Sequence, residues 1–308
     1  MGALIDVILP VFLVIAAGYV AVWKGFFSDA GVDGLMRFTQ TFAFPALLFR
    51  AIAGLDLAEG FHLPLLASFY IGAVTGFGAG LLGARFLFGR PWEDSVAIGF
   101  VALFSNTLML GVPITERAFG PEALAPNFAI ISVHTPFCYC LGIVAMEFAR
   151  GRSGTGAFVP RVVRAMFHNA LVIGIVAGFA VNLSGLALPG ALAEAIDLLT
   201  RAALPAALFG LGGILVQYRP EGDLRTILYV CAVSLVLHPA VTWGLAQAFG
   251  LGVGQMRSSV LTAAMAPGVN AYVFANLYGV AKRVAASSVL IATALSLFTA
   301  WGWLALLP

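Results

Sequence analysis

The sequence predicts an all-α membrane protein of ten transmembrane helices, built as two inverted five-helix repeats with one broken helix in each, spans 4 and 9. Three observations predict it. The 308 residues are 61% hydrophobic and 10% charged, with a mean hydropathy of +1.00, where soluble domains carry about 45–50% apolar and about 25% charged residues. Ten apolar stretches alternate with short polar connections, and the chain matches itself at an offset of 160 residues.

A helix crossing a hydrocarbon core roughly 30 Å thick needs about 20 apolar residues, so at about 30 residues per passage the chain holds roughly ten and leaves no length for a soluble domain. The first stretch, 3–23, follows no basic segment and no small-residue cleavage site divides it from a polar mature chain, so it reads as a retained span. Lys24 to Asp29 separate it from 33–53, and Asp56 to Glu59 end that second span. The third, 63–88, contains Gly78-Ala-Gly80-Leu-Leu-Gly83. That spacing matches a dinucleotide-binding fingerprint, but it lies inside an apolar helix rather than after a strand. Gly76 and Gly80, four apart, instead make a close-packing helix face. Spans 4 and 5 cover 95–115 and 126–149, and the second five cover 161–184, 190–217, 225–249, 257–278 and 284–307.

Charge excludes further classes and sets direction. A net charge of +2 gives no basic patch for nucleic acid. Cys138 and Cys140 point to different faces of one helix, so neither a disulfide framework nor a metal pair is expected. Asn182-Leu-Ser184 matches a glycosylation acceptor by chance, since it abuts a span. Connections after odd-numbered spans hold eleven of the 16 basic residues: Lys24, Arg85, Arg90, Arg150, Arg152, Arg161, Arg164, Arg219, Arg225, Lys282 and Arg283. Connections after even-numbered spans hold Arg117 and Arg257. Cytoplasmic loops are the ones enriched in Lys and Arg, which places both termini in the periplasm and the protein in the cell inner membrane.

At the 160-residue offset, Ala43-Phe-Pro-Ala-Leu-Leu-Phe49 pairs with Ala203-Leu-Pro-Ala-Ala-Leu-Phe209, with five of seven positions identical. Residues 1–150 (spans 1–5) then form one repeat, 151–160 a short cytoplasmic connection, and 161–308 (spans 6–10) the second repeat. Five passages being odd, the second repeat enters from the opposite side, as in many secondary transporters.

Spans 4 and 9 are the equivalent broken pair. Span 4 reads Phe104-Ser-Asn106-Thr-Leu-Met-Leu-Gly111-Val-Pro113, and span 9 reads Ala264-Met-Ala-Pro267-Gly268-Val-Asn270-Ala-Tyr272. Proline removes a backbone hydrogen bond and clashes with the preceding turn, and in hydrocarbon the freed groups need protein, water or ligand. Half-helix N-termini meeting there suit an anion. Asn106 and Pro113, seven apart, share one face.

These segments resemble those of the auxin efflux carrier family, which includes plant PIN proteins and bacterial carriers of small carboxylates. The likeness runs through Phe44 to Arg50, Asn106 to Pro113, Glu147 to Gly151, and Ala266 to Gly279, and with the ten-span layout covers the chain. The short connection after span 5 departs from the plant members and favours the bacterial branch. The resemblance implies that spans 4 and 9 cross near the midplane, that an elevator-like movement alternates access, and that a polar pair on span 5, here His134 and Thr135, helps hold the substrate.

The expected function is secondary transport of a small organic anion, not an enzymatic reaction, because no nucleophile–base group, acidic pair or metal spacing is present. Asn106, His134, Thr135, Asn270 and Tyr272 are the candidate contacts, with Gly111, Pro113, Pro267 and Gly268 shaping the breaks. No cofactor or metal is called for. The partners are the anion, the lipid bilayer and protons as candidate coupling ion, with a homodimer left open. No acidic residue lies at either break, which favours a proton or the membrane potential over sodium. A sodium symporter of bile-acid-carrier type and a non-transporting ligand sensor are the alternatives. Elsewhere, His238 is expected to patch the Pro239 kink, His168 to be structural, Arg50 to reach the interface, Asp197 and Arg201 to neutralise each other, and Asp6 to be exposed.

Overall fold

The structure, a computed structural model, describes residues 4–151 and 169–308; the expectations for Arg152, Arg161, Arg164, His168 and the start of span 6 lie outside the described residues. Those residues contain helices, turns and one isolated backbone bridge, and no strand. A π turn, Leu4–Ile8, opens α1 (Leu9–Trp23). The Ser28 hydroxyl accepts the Gly31 N–H at 3.1 Å and starts α2 (Asp29–Phe38), which runs through the π turn Thr39–Ala43 into α3 (Phe44–Ala53). The single turn α4 (Leu57–Gly60) precedes α5 (Leu63–Phe86) and α6 (Trp92–Leu103). Helix resumes with the π turn Thr107–Gly111 and α7 (Val112–Phe119), and a 3-10 turn, Pro121–Leu124, leads into α8 (Ala125–Ala149). The second half holds α9 (Ala170–Ser184), α10 (Gly190–Gln217), α11 (Leu224–Ala232), the π turn Val233–Leu237, α12 (His238–Ala248), α13 (Val253–Ala263), α14 (Val269–Tyr278) and α15 (Lys282–Leu306).

Among the described residues, six helical segments are long and apolar enough to cross a membrane: Ile5–Trp23, Leu63–Phe86, Pro121–Ala149, Gly190–Gln217, Leu224–Ala248 and Lys282–Leu306. Ala170–Ser184 is a shorter apolar helix. The remaining predicted stretches are divided between α2 and α3, which carry Asp29, Asp33, Arg37 and Arg50, or interrupted after α6 and α13.

Every described π turn ends one residue before an X-Pro pair: Leu9-Pro10, Phe44-Pro45, Val112-Pro113 and His238-Pro239. Proline lacks the N–H of the helix ladder and its ring collides with the carbonyl four residues back. A wider turn moves that carbonyl aside and keeps the axis continuous, so these prolines sit in helix without ending it.

Residue proximity divides the chain into two compact units. One takes Val11–Gly60 and Gly154–Gln217, and its helices meet through glycines. A Cβ at Gly18 would overlap the Phe209 carbonyl, one at Gly178 would lie 2.9 Å from the Phe49 carbonyl, and one at Gly174 would lie 2.5 Å from that of Pro45. In this unit Arg50 Nε binds Asp197 Oδ1 at 2.9 Å. That corrects the expectation that Asp197 would neutralise Arg201: among the described residues no ion pair joins those two, because Arg50 reaches across from α3 and takes the carboxylate. Asn182 likewise turns its amide onto the carbonyls of Ile52, Ala53 and Leu55 at 3.0, 3.2 and 2.7 Å, capping the end of α3.

The other unit takes Met1–Pro10, Phe61–Ser153 and Tyr218–Pro308. It holds α5 to α8 and α11 to α15, drawn from both halves of the sequence. Gly76 and Gly80 of α5 do make the close face expected of them, since a Cβ at either would come to 3.1 Å of α6, at the Ala102 carbonyl and side chain respectively. The Phe100 ring of α6 stacks on Phe274 of α14, with centroids 4.0 Å apart and planes 8° from parallel. Both are fully buried, fixing α6 against α14 beside the interruptions.

Candidate functional site

Both interruptions lie in this second unit, and they meet. Asn106 N–H donates to the Ala266 carbonyl at 2.8 Å and Gly268 N–H donates to the Phe104 carbonyl at 2.9 Å, closing an antiparallel bridge about Ser105 and Pro267. The bridge satisfies backbone groups that helices α6 and α13 leave behind, the requirement that burial imposes on unwound chain. Pro267 occupies a bridge position whose N–H would point outward, so its missing donor costs nothing. A Cβ at Gly268 would lie 3.3 Å from the Phe104 ring, so any larger residue there would have to push that ring aside by a few tenths of an ångström.

Asn106 caps the resumed helix. Its Oδ1 accepts the Met109 N–H at 3.2 Å, and its carbonyl accepts those of Leu110 and Gly111 at 3.2 and 3.1 Å. Its amide NH2 has no hydrogen-bond partner among the described residues. α14 opens at Gly268 with no side-chain cap. Two helix starts, each with the positive end of its dipole, thus flank one bridge.

Ser105 is the hub. Its carbonyl faces His134 Nε2 at 3.2 Å, and its hydroxyl faces His238 Nδ1 at 3.3 Å and the Ala263 carbonyl at 3.5 Å. His134, from α8, and His238, from α12, are both buried, and the Phe69 ring lies between them with centroids 5.6 and 5.2 Å away. Phe104 packs edge-on to His134 at 4.7 Å, and Cys138 Sγ lies 3.7 Å from His134 Nδ1. His238 Nε2 is buried without a partner. In the same unit Asn127 of α8 donates through Nδ2 to the hydroxyls of Thr115 at 3.2 Å and Thr262 at 2.8 Å, while its Oδ1 is buried and unpartnered.

Of the residues predicted from sequence, the structure brings Asn106, His134, Pro267 and Gly268 together. Thr135, Asn270 and Tyr272 are half-buried and make no hydrogen bond to the bridge; Tyr272 packs against Tyr218 at 5.0 Å. Gly111 closes the π turn with helical angles, φ −61°, ψ −50°, rather than opening the chain, and Pro113 sits in the first turn of α7. The gap in span 4 therefore falls at Phe104 to Asn106, ahead of Pro113, whose ring the π turn accommodates. Sequence reasoning passed over Ser105, Thr115, Asn127 and Thr262. Their signal was simply to be polar within apolar stretches, each on a different helix or turn.

Long apolar helices and a buried backbone bridge define a multi-pass membrane protein. The chain belongs to the membrane transport protein family, whose profile matches residues 3–304, in agreement with the resemblance to auxin efflux carriers. It is 26% identical over 315 residues to the "Putative malonate transporter" of Rhizobium meliloti (strain 1021), covering 100% of this chain and 97% of that one. It is also 23% identical over 323 residues to an uncharacterized transporter of Methanocaldococcus jannaschii, covering 98% of each. These are names of transporters rather than enzymes.

Proposed function

We propose that the protein is a secondary active transporter that moves a small carboxylate across the cell inner membrane by alternating access, with the anion bound where the two interrupted helices meet. The observation that carries this reading is the bridge: two helix starts and the free amide NH2 of Asn106 converge on one buried point, and such points accept carboxylates. His134 adds a polar group there, and Thr135, Asn270 and Tyr272 form the outer part of the site. The name of the Rhizobium relative supports a dicarboxylate such as malonate.

The ten passages are arranged as two inverted repeats, 1–150 and 161–308, with both termini periplasmic. Contacts that repeat at an offset of 160 on both partners support this: Gly18 faces the Phe209 carbonyl as Gly178 faces that of Phe49. Gly25 and Gly185, also 160 apart, both turn with positive φ, 77° and 65°, after α1 and α9. The donor and acceptor of one bridge hydrogen bond, Asn106 and Ala266, are 160 residues apart as well.

Uptake into proteoliposomes tests the reading. Malonate, other small mono- and dicarboxylates and an indole acid are offered to wild type and Asn106→Ala, with sodium or with potassium in its place. Uptake of one carboxylate, lowered at least about tenfold by the substitution, is expected for the loss of a hydrogen bond to a charged group, about 1.5–3 kcal/mol. Folded wild-type protein that moves no carboxylate would overturn it. Sodium coupling is the second reading. It is favoured by the buried, unpartnered Asn127 Oδ1, a neutral oxygen of the kind that suits a hard cation, and a strict sodium requirement would select it.

A further inference from the structure

We propose that His238 and His134, joined through Ser105, form a proton-binding pair that takes up one proton when the anion binds. This rests on the carboxylate-transport reading and names the coupling site within it.

Hydrogen-bond accounting fixes where the proton goes. His134 Nε2 faces a carbonyl, which can only accept, so that nitrogen carries the hydrogen and Nδ1 is left as an acceptor beside the Cys138 thiol. The Ser105 hydroxyl has two neighbours, the Ala263 carbonyl and His238 Nδ1. Donating to the carbonyl lets it accept from His238 Nδ1–H, and every hydrogen then has a partner. The group left over is the lone pair on His238 Nε2, which is buried with no hydrogen bond of its own, while the Phe69 backbone carbonyl lies beside the imidazole. Buried polar atoms are seldom left so. Two more unpartnered atoms, Ser234 Oγ and Thr242 Oγ1, lie one turn to either side along the same face.

The surroundings hold no competing charge. His238 is faced by Phe69, Gly72 and Gly76 of α5 and by Ser105, and His134 by Phe69 and Tyr70 of α5, by Phe104 and Ser105, and by Cys138 on its own helix. Tyr70 and Cys138 are the titratable groups among these, and Tyr70 already donates its hydroxyl to the Ile130 carbonyl at 2.7 Å. No carboxylate or basic side chain is among them. An imidazolium here has no resident counter-ion, so an incoming carboxylate supplies it, and anion and proton each favour the other's binding. Two imidazoliums across one phenylalanine ring would repel, so the pair holds one proton. The step forms one N–H bond on the Nε2 lone pair, with the proton drawn from water and returned to water on release.

The test is calorimetric titration of the purified protein with malonate in two buffers of different ionisation heat. Wild type is expected to take up about one proton per malonate, with affinity falling about tenfold per pH unit on the alkaline side, as linkage requires. His238→Gln, which cannot hold the charge, is expected to bind malonate at least about tenfold more weakly, the worth of one charge-assisted bond, and to take up no proton. Ser105→Ala, which unlinks the pair, is expected to reduce the uptake with malonate still bound. Malonate binding by wild type without proton uptake, or undiminished uptake in His238→Gln, would overturn the pair and leave the carrier standing. No binding by folded wild type of malonate or any other small carboxylate would overturn both.

Discussion

Ser105 shows how much one small residue can organise when the backbone around it is unwound. In a regular helix its carbonyl would be spent on the ladder; at the interruption it accepts the Thr107 N–H at 2.8 Å and also faces His134, and its hydroxyl holds His238. Asp223 does comparable work at a polar end. It caps α11 by accepting from Arg225 N–H at 3.1 Å and from the Thr226 hydroxyl at 2.7 Å, and it meets Arg90 at 3.3 Å. The Thr226 hydroxyl first, then the Arg225 and Thr226 N–H groups and Arg90, hold its carboxyl below the usual range against the opposing effect of desolvation. A depressed folded pKa means that this stabilisation is present above the unfolded value of about 3.9 and is lost as pH falls through the folded one. Asp223→Asn is therefore expected to lower the melting temperature at neutral pH and to flatten its decline in acid. A melting curve as steep in acid as that of wild type would remove Asp223 from the account.

At the scale of elements, the apolar stretches were legible because helix length in a bilayer is set by its thickness, and α5, α8, α10 and α15 fall within a few residues of 63–88, 126–149, 190–217 and 284–307. The two interruptions were legible as regions but not as positions. Proline marks a missing donor, yet whether the chain breaks or widens by one residue depends on what packs beside it. Pro113 is absorbed by a π turn, and the gap opens at Ser105, where nothing but polarity signalled it. The pairing of Arg50 with Asp197 and the role of Asn127 were illegible for a related reason: both join helices far apart in sequence. Glycine, by contrast, meant close approach where it recurred at helical spacing. Alanine at Gly18 or at Gly178 is accordingly expected to destabilise by about 1–3 kcal/mol, the usual cost of overpacking. The effect should be larger at Gly18, where the added carbon overlaps a backbone carbonyl that cannot swing away. Gly34→Ala, with open space at the Cβ, is the control. Thermal unfolding in detergent reads all three, and equal melting temperatures would show that the glycine faces do not set the packing.

For the whole molecule, the proposed inverted repeat carries its own constraint: five passages being odd, the second copy would run in the opposite direction, and equivalent positions would emerge on opposite sides of the membrane. Phe26 and Leu186 are such a pair, 160 residues apart, each exposed just beyond a glycine that ends its helix. In a chain whose three cysteines, Cys138, Cys140 and Cys231, are replaced by alanine, Leu186→Cys is expected to react with a membrane-impermeant maleimide in intact cells. Phe26→Cys is expected to react only after permeabilisation. Leu87→Cys and Val253→Cys, both at exposed positions, extend the test: the first should behave like Phe26 and the second like Leu186, following the basic residues that crowd the connections after odd-numbered spans. All four reversed would invert the orientation and keep the repeat. Phe26 and Leu186 on one side would remove the inverted repeat itself, because no choice of orientation can bring equivalent ends of two oppositely inserted halves to the same face.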